Sequence, residues 1–311
     1  MRDMANTSSD RRNQDRTRLL LKLRPLIQTA FLLLWAAPLG WISAQMGRWG
    51  RSMPSCVFHC YYAGGNYCPA ASLSCPIGIM AQLVALGAAP LLAIGAVVLA
   101  GALVGSLVCG WACPFGFLQD LLAKIPLPKL RPPAWTSAGR YVVLGALVLA
   151  LPYWIGLTGK PYDEQEITIC RWCPAGALEA GVPLTIQGAL EGRPELMVSP
   201  KKAAILVAFL LGSVFIHRPW CRLFCPLGGL LALFNRFSVF HLWFKKTACT
   251  SCNTCRGRCD MDVPVDQSLN SPRCIRCMEC TTCGAILPAA FLRKGGTSEA
   301  ASAGSEKPPG A

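Results

Sequence analysis

The cysteine spacing near the C-terminus constrains the fold of this chain more than any other feature of its sequence. Eight of the eighteen cysteines lie within residues 249–283, in two runs whose members are separated by two or three residues. Three thiolates spaced so closely, with a fourth from elsewhere, wrap a cubane iron–sulfur cluster, and in two-cluster ferredoxins the fourth cysteine of each run ligates the other cluster. The predicted ligand sets are Cys249, Cys252, Cys255 and Cys283 for one cluster, and Cys274, Cys277, Cys280 and Cys259 for the other.

These runs predict a two-cluster bacterial-type ferredoxin domain over residues 246–294. Zinc is the alternative, but it favours two C-x2-C knuckles separated by a longer spacer and fits a triple run poorly. Two details depart from the usual pattern: Asp260 follows Cys259 where proline is common, and the second run closes after two residues instead of three. The shorter loop must bend tightly, and we expect Gly284 to supply the bend because glycine tolerates a positive φ.

Long uncharged apolar runs predict an α-helical integral membrane protein. The chain has 311 residues, of which 53% are hydrophobic and only 15% are charged, which is too apolar for an ordinary soluble domain. A span needs about 20 apolar residues. We therefore predict four transmembrane helices at residues 26–45, 82–107, 140–158 and 203–217. A buried helix of a soluble core is the alternative for any one run, but it explains four runs poorly.

The basic residues predict the orientation of the chain. The net charge is +14, and the excess lies in the first 24 residues, after the second span and after the fourth. The positive-inside rule then places both termini in the cytoplasm of a bacterial inner membrane. Nucleic-acid binding explains this charge poorly, because no recognition motif accompanies it. Residues 1–25 are interpreted as a basic cytoplasmic tail, 26–245 as the membrane domain, and 295–311 as a disordered tail rich in Gly, Ser, Ala and Pro.

A short motif, C-P-x-G-x-[LM], occurs four times, starting at Cys75, Cys113, Cys173 and Cys225. Each cysteine is expected to end a loop, and each proline to begin a helix, where the missing N–H carries no penalty. Such a helix start presents free N–H groups to an anionic cluster. Because the copies occur in step with the predicted spans, they indicate internal duplication into two parallel repeats.

The repeat predicts two further cysteine sets on opposite faces of the membrane, about 30 Å apart. The set at the cytoplasmic face is predicted to hold a third cluster and comprises Cys109, Cys113, Cys221 and Cys225. The set at the outer face is a candidate metal site and comprises Cys60, Cys68, Cys75, Cys170 and Cys173. Inert buried cysteines are the alternative for the first set. Disulfides, which persist in an oxidising periplasm, are the alternative for the second.

With these motifs, the chain resembles the NapH–NosR group of membrane polyferredoxins, which also includes MauN-type proteins. The resemblance covers about residues 26–290 and is carried by the pairs Cys109/Cys113 and Cys221/Cys225 and by the ferredoxin runs. It implies about four helices, two C-x3-C-P motifs at the cytoplasmic face, and a cytoplasmic domain with two 4Fe–4S clusters. It also implies that electrons pass between the quinone pool or cytoplasmic donors and respiratory or maturation systems outside the membrane. The large flavin-bearing domain of full-length NosR has no counterpart in this sequence.

The sequence favours an electron-transfer subunit without a bond-making active site of its own, whose partners are the membrane and redox proteins. It contains no phosphate-binding loop, dinucleotide fingerprint or C-x2-C-H haem site. His217 and Arg218 are the candidate contacts for a quinone at the membrane edge, and an interfacial anchor is the alternative. Two other functions stay open: a redox-sensing or electron-supplying assembly factor for another metalloenzyme, and a structural metal protein.

Overall fold

The computed structural model describes residues 15, 17–32, 60–62, 66–68, 76–160, 162, 165–192 and 198–289, which are mainly helical. The helices are α1 (17–32), α2 (Pro76–Ala85), α3 (Leu91–Val104), α4 (Leu107–Trp111), α5 (Pro114–Leu122), α6 (Ala134–Leu157), α7 (Ile169–Trp172), α8 (174–191), α9 (Pro200–Phe215), α10 (Pro219–Leu223), α11 (Pro226–Leu233) and α12 (Thr254–Gly257). The strands are β1 (Cys60–Tyr62), β2 (Asn66–Cys68), β3 (His241–Phe244) and β4 (Ile286–Ala289), and they form two antiparallel pairs, β1–β2 and β3–β4.

One helix in the described part of the chain, α6, is long and apolar enough to cross a membrane. It covers nearly all of the predicted span 140–158. The predicted span 82–107 is instead divided between α2 and α3, because Gly87 has a φ of +67° and Pro90 has no N–H to continue a helix. The structure therefore does not establish the set of four spans.

The two remaining predicted spans are each incomplete in a different way. Helix α9 has 16 residues and ends at Phe215, which makes it shorter than the roughly 20 residues that a perpendicular span needs. The predicted span 26–45 begins within α1, and its residues 33–45 lie outside the described residues. The predicted tail 295–311 and nearly all of residues 1–16 also lie outside them.

The predicted helix starts are confirmed where the structure describes them. Helices α5, α8 and α11 each begin at the proline of a C-P-x-G motif. The three preceding cysteines adopt extended backbone conformations and cap the helices: the sulfur of each accepts the N–H of the motif glycine, at 3.4 Å in every case. Helix α2 also begins at its motif proline, Pro76, whereas Cys75 lies outside the described residues.

The capped helices α5 and α8 run in opposite directions along α9. Asp120 on α5 pairs with Arg218, just beyond the C-terminal end of α9. Gly181 on α8 packs against Val198, which lies just before the N-terminal end of α9. A β-carbon on Gly181 would stand 2.4 Å from a Val198 methyl carbon. Since the two helices diverge, their N-termini, with Cys113 and Cys173, lie near the middle of α9.

Helices α2 and α11 pack on α6. The carbonyl of Ala85, at the end of α2, lies against Gly156 near the C-terminal end of α6, whereas Gly229 of α11 lies against Arg140 near its N-terminal end. Leu227 of α11 joins the apolar cluster that also contains Ile77 of α2 and Val148 of α6. Two helices that begin at a motif proline therefore lie on one longer helix in each half of this region.

Candidate iron–sulfur sites

The two ferredoxin runs share one backbone geometry. The residues on either side of the middle cysteine are left-handed in both runs, with φ values of 54° and 56° at Ser251 and Asn253, and of 52° and 65° at Arg276 and Met278. Residues of alternating handedness direct successive N–H groups toward one point and form nests that bind anions, including iron–sulfur clusters. Each loop is therefore shaped to surround a group of negative charge.

One predicted ligand set lines a small enclosed cavity. Its four cysteines are Cys259, Cys274, Cys277 and Cys280, and the other lining side chains are apolar. Two of the sulfurs accept backbone hydrogen bonds, from the Arg276 N–H at 3.3 Å and the Val263 N–H at 3.4 Å. Burial raises the pKa of Cys274 to about 11 and that of Cys277 to about 12. These thiols would stay protonated at neutral pH without a cation, so the cavity fits a metal centre that supplies positive charge.

The other predicted ligand set lies nearer the surface. Cys249 and Cys252 are exposed, and hydrogen bonds from Thr254 lower the pKa of Cys252 to about 7. Burial and then the charge of Cys283 raise the pKa of Cys255, so the last cysteine of the second run lies beside the first run. Gly284 has a φ of +79°, as the tight bend after Cys283 requires. The ligand grouping predicted from spacing is therefore compatible with the observed geometry.

The described residues contain no ready-made site for a single metal ion. Four thiolates on one zinc ion, each about 2.3 Å from the metal, lie within about 4 Å of one another. Among the described residues, no three His, Cys, Asp or Glu side chains approach closely enough to hold one metal ion.

The structure brings the predicted inner set, Cys109, Cys113, Cys221 and Cys225, into one neighbourhood. Burial and then the charge of Cys221 raise the pKa of Cys109 to about 12, although 112 positions separate the two residues. Gln119, on the helix that follows Cys113, donates to the Cys221 sulfur at 3.3 Å. Cys113, Cys221 and Cys225 all belong to or pack against one buried cluster, whose members are Phe115, Ala177, Leu206, Trp220 and Cys221.

Buried charges surround this inner set. Arg218 is fully buried, donates to the Cys109 carbonyl at 2.6 Å, and makes a two-pronged ion pair with Asp120 through two hydrogen bonds of 2.6 Å. Burial alone would raise the pKa of Asp120, but the charge and hydrogen bonds of Arg218 outweigh it and hold the pKa well below its usual range. Arg24 on α1 also contacts Asp120, at 2.8 Å, and Glu279 of the ferredoxin region at 3.2 Å.

A polar network joins the second ferredoxin loop to the segment that carries Cys109. The buried Asn235 side chain donates to the Cys274 carbonyl at 2.8 Å and accepts from the Ser106 N–H at 3.1 Å. The Trp111 indole donates to the Arg276 carbonyl at 3.2 Å. The Arg276 guanidinium in turn donates to the carbonyls of Val104 and Asn235. The ferredoxin loop and the segment that carries Cys109 are therefore in direct contact.

The predicted outer set is placed closer to the inner set than expected. Cys173 packs against the same buried cluster as Cys113, and Lys202 of α9 lies beside Cys173. Farther along α9, Phe209 contacts Trp220, which precedes Cys221 of the inner set. Seven residues of helix separate Lys202 from Phe209, which is about 10 Å at 1.5 Å per residue. The predicted separation of about 30 Å is therefore wrong for Cys173, because α5 and α8 both begin near the middle of α9.

The other members of the outer set are only partly described. Cys60 and Cys68 occupy opposite positions in the β1–β2 pair, and β1 contacts both α2 and α7, the helix that contains Cys170. Cys75 lies outside the described residues. Cys170 and Cys173 lie within the described residues, and the Cys173 sulfur accepts the Gly176 N–H at 3.4 Å.

A cleft of about 630 Å³ lies between α1, α5 and the ferredoxin region. It is lined by His217, Cys259 and Asp260 and by several basic side chains, including Lys22 and Lys124. His217 lies 3.2 Å from Asp120 and 3.4 Å from Asp260. Arg218 does not line this cleft. The quinone contact at Arg218 stays a prediction; in the structure its guanidinium donates to Asp120 and to the Cys109 carbonyl.

Comparison with known proteins connects these cysteines to iron–sulfur chemistry. A family described as a 4Fe-4S binding domain matches residues 86–133 and 203–246, that is, two segments that contain the inner pairs and not the C-terminal runs. YccM of Escherichia coli, whose description proposes electron transport, is 28% identical over 68% of this chain and 57% of its own length. The regulatory protein NosR of Stutzerimonas stutzeri is 27% identical over 55% of this chain and 22% of its own length. The protein NirI of Paracoccus denitrificans is 25% identical over 55% of this chain and 24% of its own length.

The chain is similar to the NosR/NirI type of 4Fe–4S proteins. It is also 29% identical to the uncharacterised protein MJ0750 of Methanocaldococcus jannaschii over 57% of this chain and 68% of that protein. The matched regions therefore cover between about a fifth and two thirds of the length of these relatives. No solved structure matches the chain.

Sequence reasoning missed several polar residues that position these sites. Lys202 and Arg140 are nearly fully buried, and Asp120 is the carboxylate between Arg24 and Arg218. Each interrupts or borders an apolar stretch, which is the signal that could have indicated them, because a charge in such a stretch is tolerated mainly when it is paired or functional. Asn235 and Arg276 carried no comparable signal, since their roles depend on contacts with distant segments.

Proposed function

We propose that this protein is a membrane-bound electron-transfer protein that links cytoplasmic or quinone-pool electrons to a respiratory or maturation partner. The direct contact between the Cys274 loop and the Cys109 segment supports this function most strongly. Cys249, Cys252, Cys255 and Cys283 would hold one 4Fe–4S cluster, and Cys259, Cys274, Cys277 and Cys280 a second. When bound, such clusters supply one-electron redox chemistry.

The inner cysteines would hold a third cluster. Two observations support this assignment: the family match covers both C-x3-C-P pairs, and buried arginines lie beside them. Arg218 and Arg140 both lower the pKa of Cys109 against the effect of burial, so positive charge is already in place for thiolate ligands. Through its contacts with Asp120 and the Cys109 carbonyl, Arg218 would also hold α5 and α4 in fixed positions.

The membrane arrangement is part of the proposal. Four spans in two parallel repeats, with both termini in the cytoplasm, would place the ferredoxin region on the cytoplasmic side. The apolar helix α6 and the large share of exposed apolar side chains on α3 and α6 support a lipid environment. A quinone head group would reach the cleft beside His217, where Asp120 and Asp260 can orient the imidazole.

The decisive experiment measures the metal content of the full chain. The full chain is required because hydrogen bonds join the Cys274 loop to the rest of the protein. Anaerobically purified protein should contain about twelve iron and twelve sulfide per chain, four for each cubane. EPR spectra after dithionite reduction should show the signals of 4Fe–4S clusters. Stoichiometric zinc without a paramagnetic signal would refute the proposal.

A second function, a redox-responsive assembly or regulatory factor, is favoured by the similarity to a protein named regulatory protein NosR. The rates at which the protein is reduced and reoxidised in its native membranes distinguish the carrier from the regulatory factor. A carrier should be reoxidised by its partner on the time scale of turnover. A regulatory factor should be reduced slowly, and its loss should lower the metal loading of another enzyme.

A further inference from the structure

A recess of about 470 Å³ lies between α1 and the ferredoxin region. Its wall is formed by Arg18, Leu21 and Lys22 of α1 and by Arg258, Glu279 and Thr282 of the ferredoxin region. Arg258 directly precedes Cys259, and Thr282 directly precedes Cys283. The recess therefore borders segments that carry predicted ligands of both ferredoxin clusters.

The positive charge in this recess exceeds the negative charge. Glu279 is the one carboxylate that lines the recess among the described residues, and it already accepts from Arg24 at 3.2 Å. In the same part of the chain, Arg18, Lys22 and Arg258 are exposed and make no ion pair. Three cations without a carboxylate partner around one recess form a surface that favours a negatively charged ligand.

The excess of positive charge continues along the adjoining cleft of about 630 Å³, which shares Leu21, Lys22 and Glu279 with the recess. The recess and the cleft together have eight basic side chains and four carboxylates. Each carboxylate lies within 3.4 Å of an arginine or of His217; the four are Asp120, Asp260, Asp262 and Glu279. The basic surface is therefore wider than one small anion would need, and it matches an acidic protein surface.

The loop beside the recess is where the predicted ligands come nearest to solvent. Of the cysteines in the inner and ferredoxin sets, Cys249 and Cys252 are the exposed ones. Helix α12 follows Cys252, leads to Arg258 and packs on residues Glu279–Cys283. Electron transfer between proteins weakens steeply with distance, so a partner seated on this basic surface would lie beside the most accessible of the predicted clusters.

We propose that the recess docks a soluble one-electron carrier protein with an acidic surface, and that Arg18, Lys22 and Arg258 contact its carboxylates. This inference rests on the proposed function and names the class of its cytoplasmic donor. One electron leaves the reduced carrier, which is oxidised, and reduces the cluster of the exposed loop; no bond forms or breaks, and no proton is transferred. Charge complementarity of this kind mainly accelerates the encounter of the two proteins.

The experiment compares the full-length wild type with the double variant Arg18→Glu/Lys22→Glu, both in nanodiscs of neutral lipid. Reduced flavodoxin, an acidic one-electron carrier, is the probe, and stopped-flow absorbance gives the second-order rate constant of cluster reduction. We expect the variant to lose at least tenfold at low ionic strength, because complementary charge changes association rates by about 10–10³-fold. The difference should vanish near 1 M salt, where the Debye length is about 3 Å.

The matched control is Lys160→Glu/Lys201→Glu, which changes the net charge equally. Both lysines are exposed, and neither lines the recess or the cleft, so this variant should keep the wild-type rate. Equal rates for the wild type and the α1 variant, or an equal loss in the control, would overturn the proposal. Wild-type rates together with loss of bound phosphatidylglycerol would assign the recess to lipid and overturn it as well. If the α1 variant does not fold, Arg258→Gln tests the opposite wall, with an expected loss of about threefold or more at low salt.

Reduction by dithionite separates this inference from the proposed function. Dithionite should give the EPR signals of 4Fe–4S clusters in the wild type and in every variant, which shows that the variants are folded. Absence of those signals in the wild type would refute the electron-carrier proposal. A wild type that dithionite reduces and flavodoxin does not reduce would refute only the docking of an acidic carrier.

Discussion

Asp120→Asn should destabilise the protein strongly. The Asp120 carboxylate accepts two hydrogen bonds of 2.6 Å from Arg218, which is fully buried, and one of 2.8 Å from Arg24, whose side chain is 10% exposed. The neutral amide would leave both guanidinium groups without their shared counter-charge. Removing one partner of a buried ion pair typically costs about 3–5 kcal/mol.

The consequence is measurable as a lower unfolding temperature in detergent. At roughly 2 °C per kcal/mol for a chain of this size, the midpoint should fall by about 6–10 °C. The inner site should also lose iron, because Arg218 positions the Cys109 carbonyl. The matched control is Asp266→Asn, which breaks the surface pair with Arg256 at 3.0 Å and should change the free energy of unfolding by less than about 1 kcal/mol.

A small effect at Asp120 would refute this reasoning. If Asp120→Asn and Asp266→Asn unfold within about 2 °C of each other, the Asp120 carboxylate does not compensate the buried arginines. The pKa of Asp120 is depressed in the folded protein. The stability that it contributes is therefore fully present above its unfolded value of about 4, and is lost only as the pH falls toward the lower folded value. The comparison should consequently be made near pH 7.

Three further outcomes are expected. Cys283→Ser should remove about four iron atoms and one cluster signal, whereas Cys280→Ser should remove the other signal, because the last cysteine of the second run lies beside Cys255. Gly105→Ala should lower the free energy of unfolding by about 1–3 kcal/mol, since Gly105 has a φ of +56° and a β-carbon there would stand 2.6 Å from the Asn235 amide oxygen. Reporter fusions after Ala134 and Lys246 should read as cytoplasmic, and fusions near Gly64 and Glu191 as external.

Each of these outcomes has a control. Loss of the same EPR signal in both cysteine variants would contradict the ligand grouping. Gly95→Ala, in helix α3 with open space around the new methyl group, should stabilise the protein by about 0.5–1 kcal/mol. Equal effects of the two glycine variants would show that the positive φ of Gly105 is unimportant. An external signal after Lys246 would invert the proposed topology.

Local chemistry made much of the candidate site predictable. The capped helix starts at Pro114, Pro174 and Pro226 follow from a cysteine that accepts one N–H and a proline that needs none. The bend at Gly284 also follows from local conformational freedom. These features depend on a few neighbouring residues, so a short motif contains the information that determines them.

The span boundaries were less predictable from hydrophobicity. The run 82–107 contains no charged residue, yet Gly87 and Pro90 end one helix and begin another. Hydrophobicity measures the preference for an apolar environment, and it does not fix whether the backbone continues as one helix. Gly87 and Pro90 are residue types that often end a helix, and here they divide the run into two helices despite its length.

The local sequence is enough to assign each cysteine to its helix start, because capping and cluster-binding loops are short-range structures. The positions of these pairs in the molecule depend on tertiary packing. The opposite directions of α5 and α8 along α9 bring Cys113 and Cys173 to one buried cluster, and the burial of Arg218 removes it from the cleft that His217 lines. The physical reason is that helix packing and the pairing of buried charges join residues about a hundred positions apart, such as Asp120 and Arg218, and no local pattern encodes those contacts.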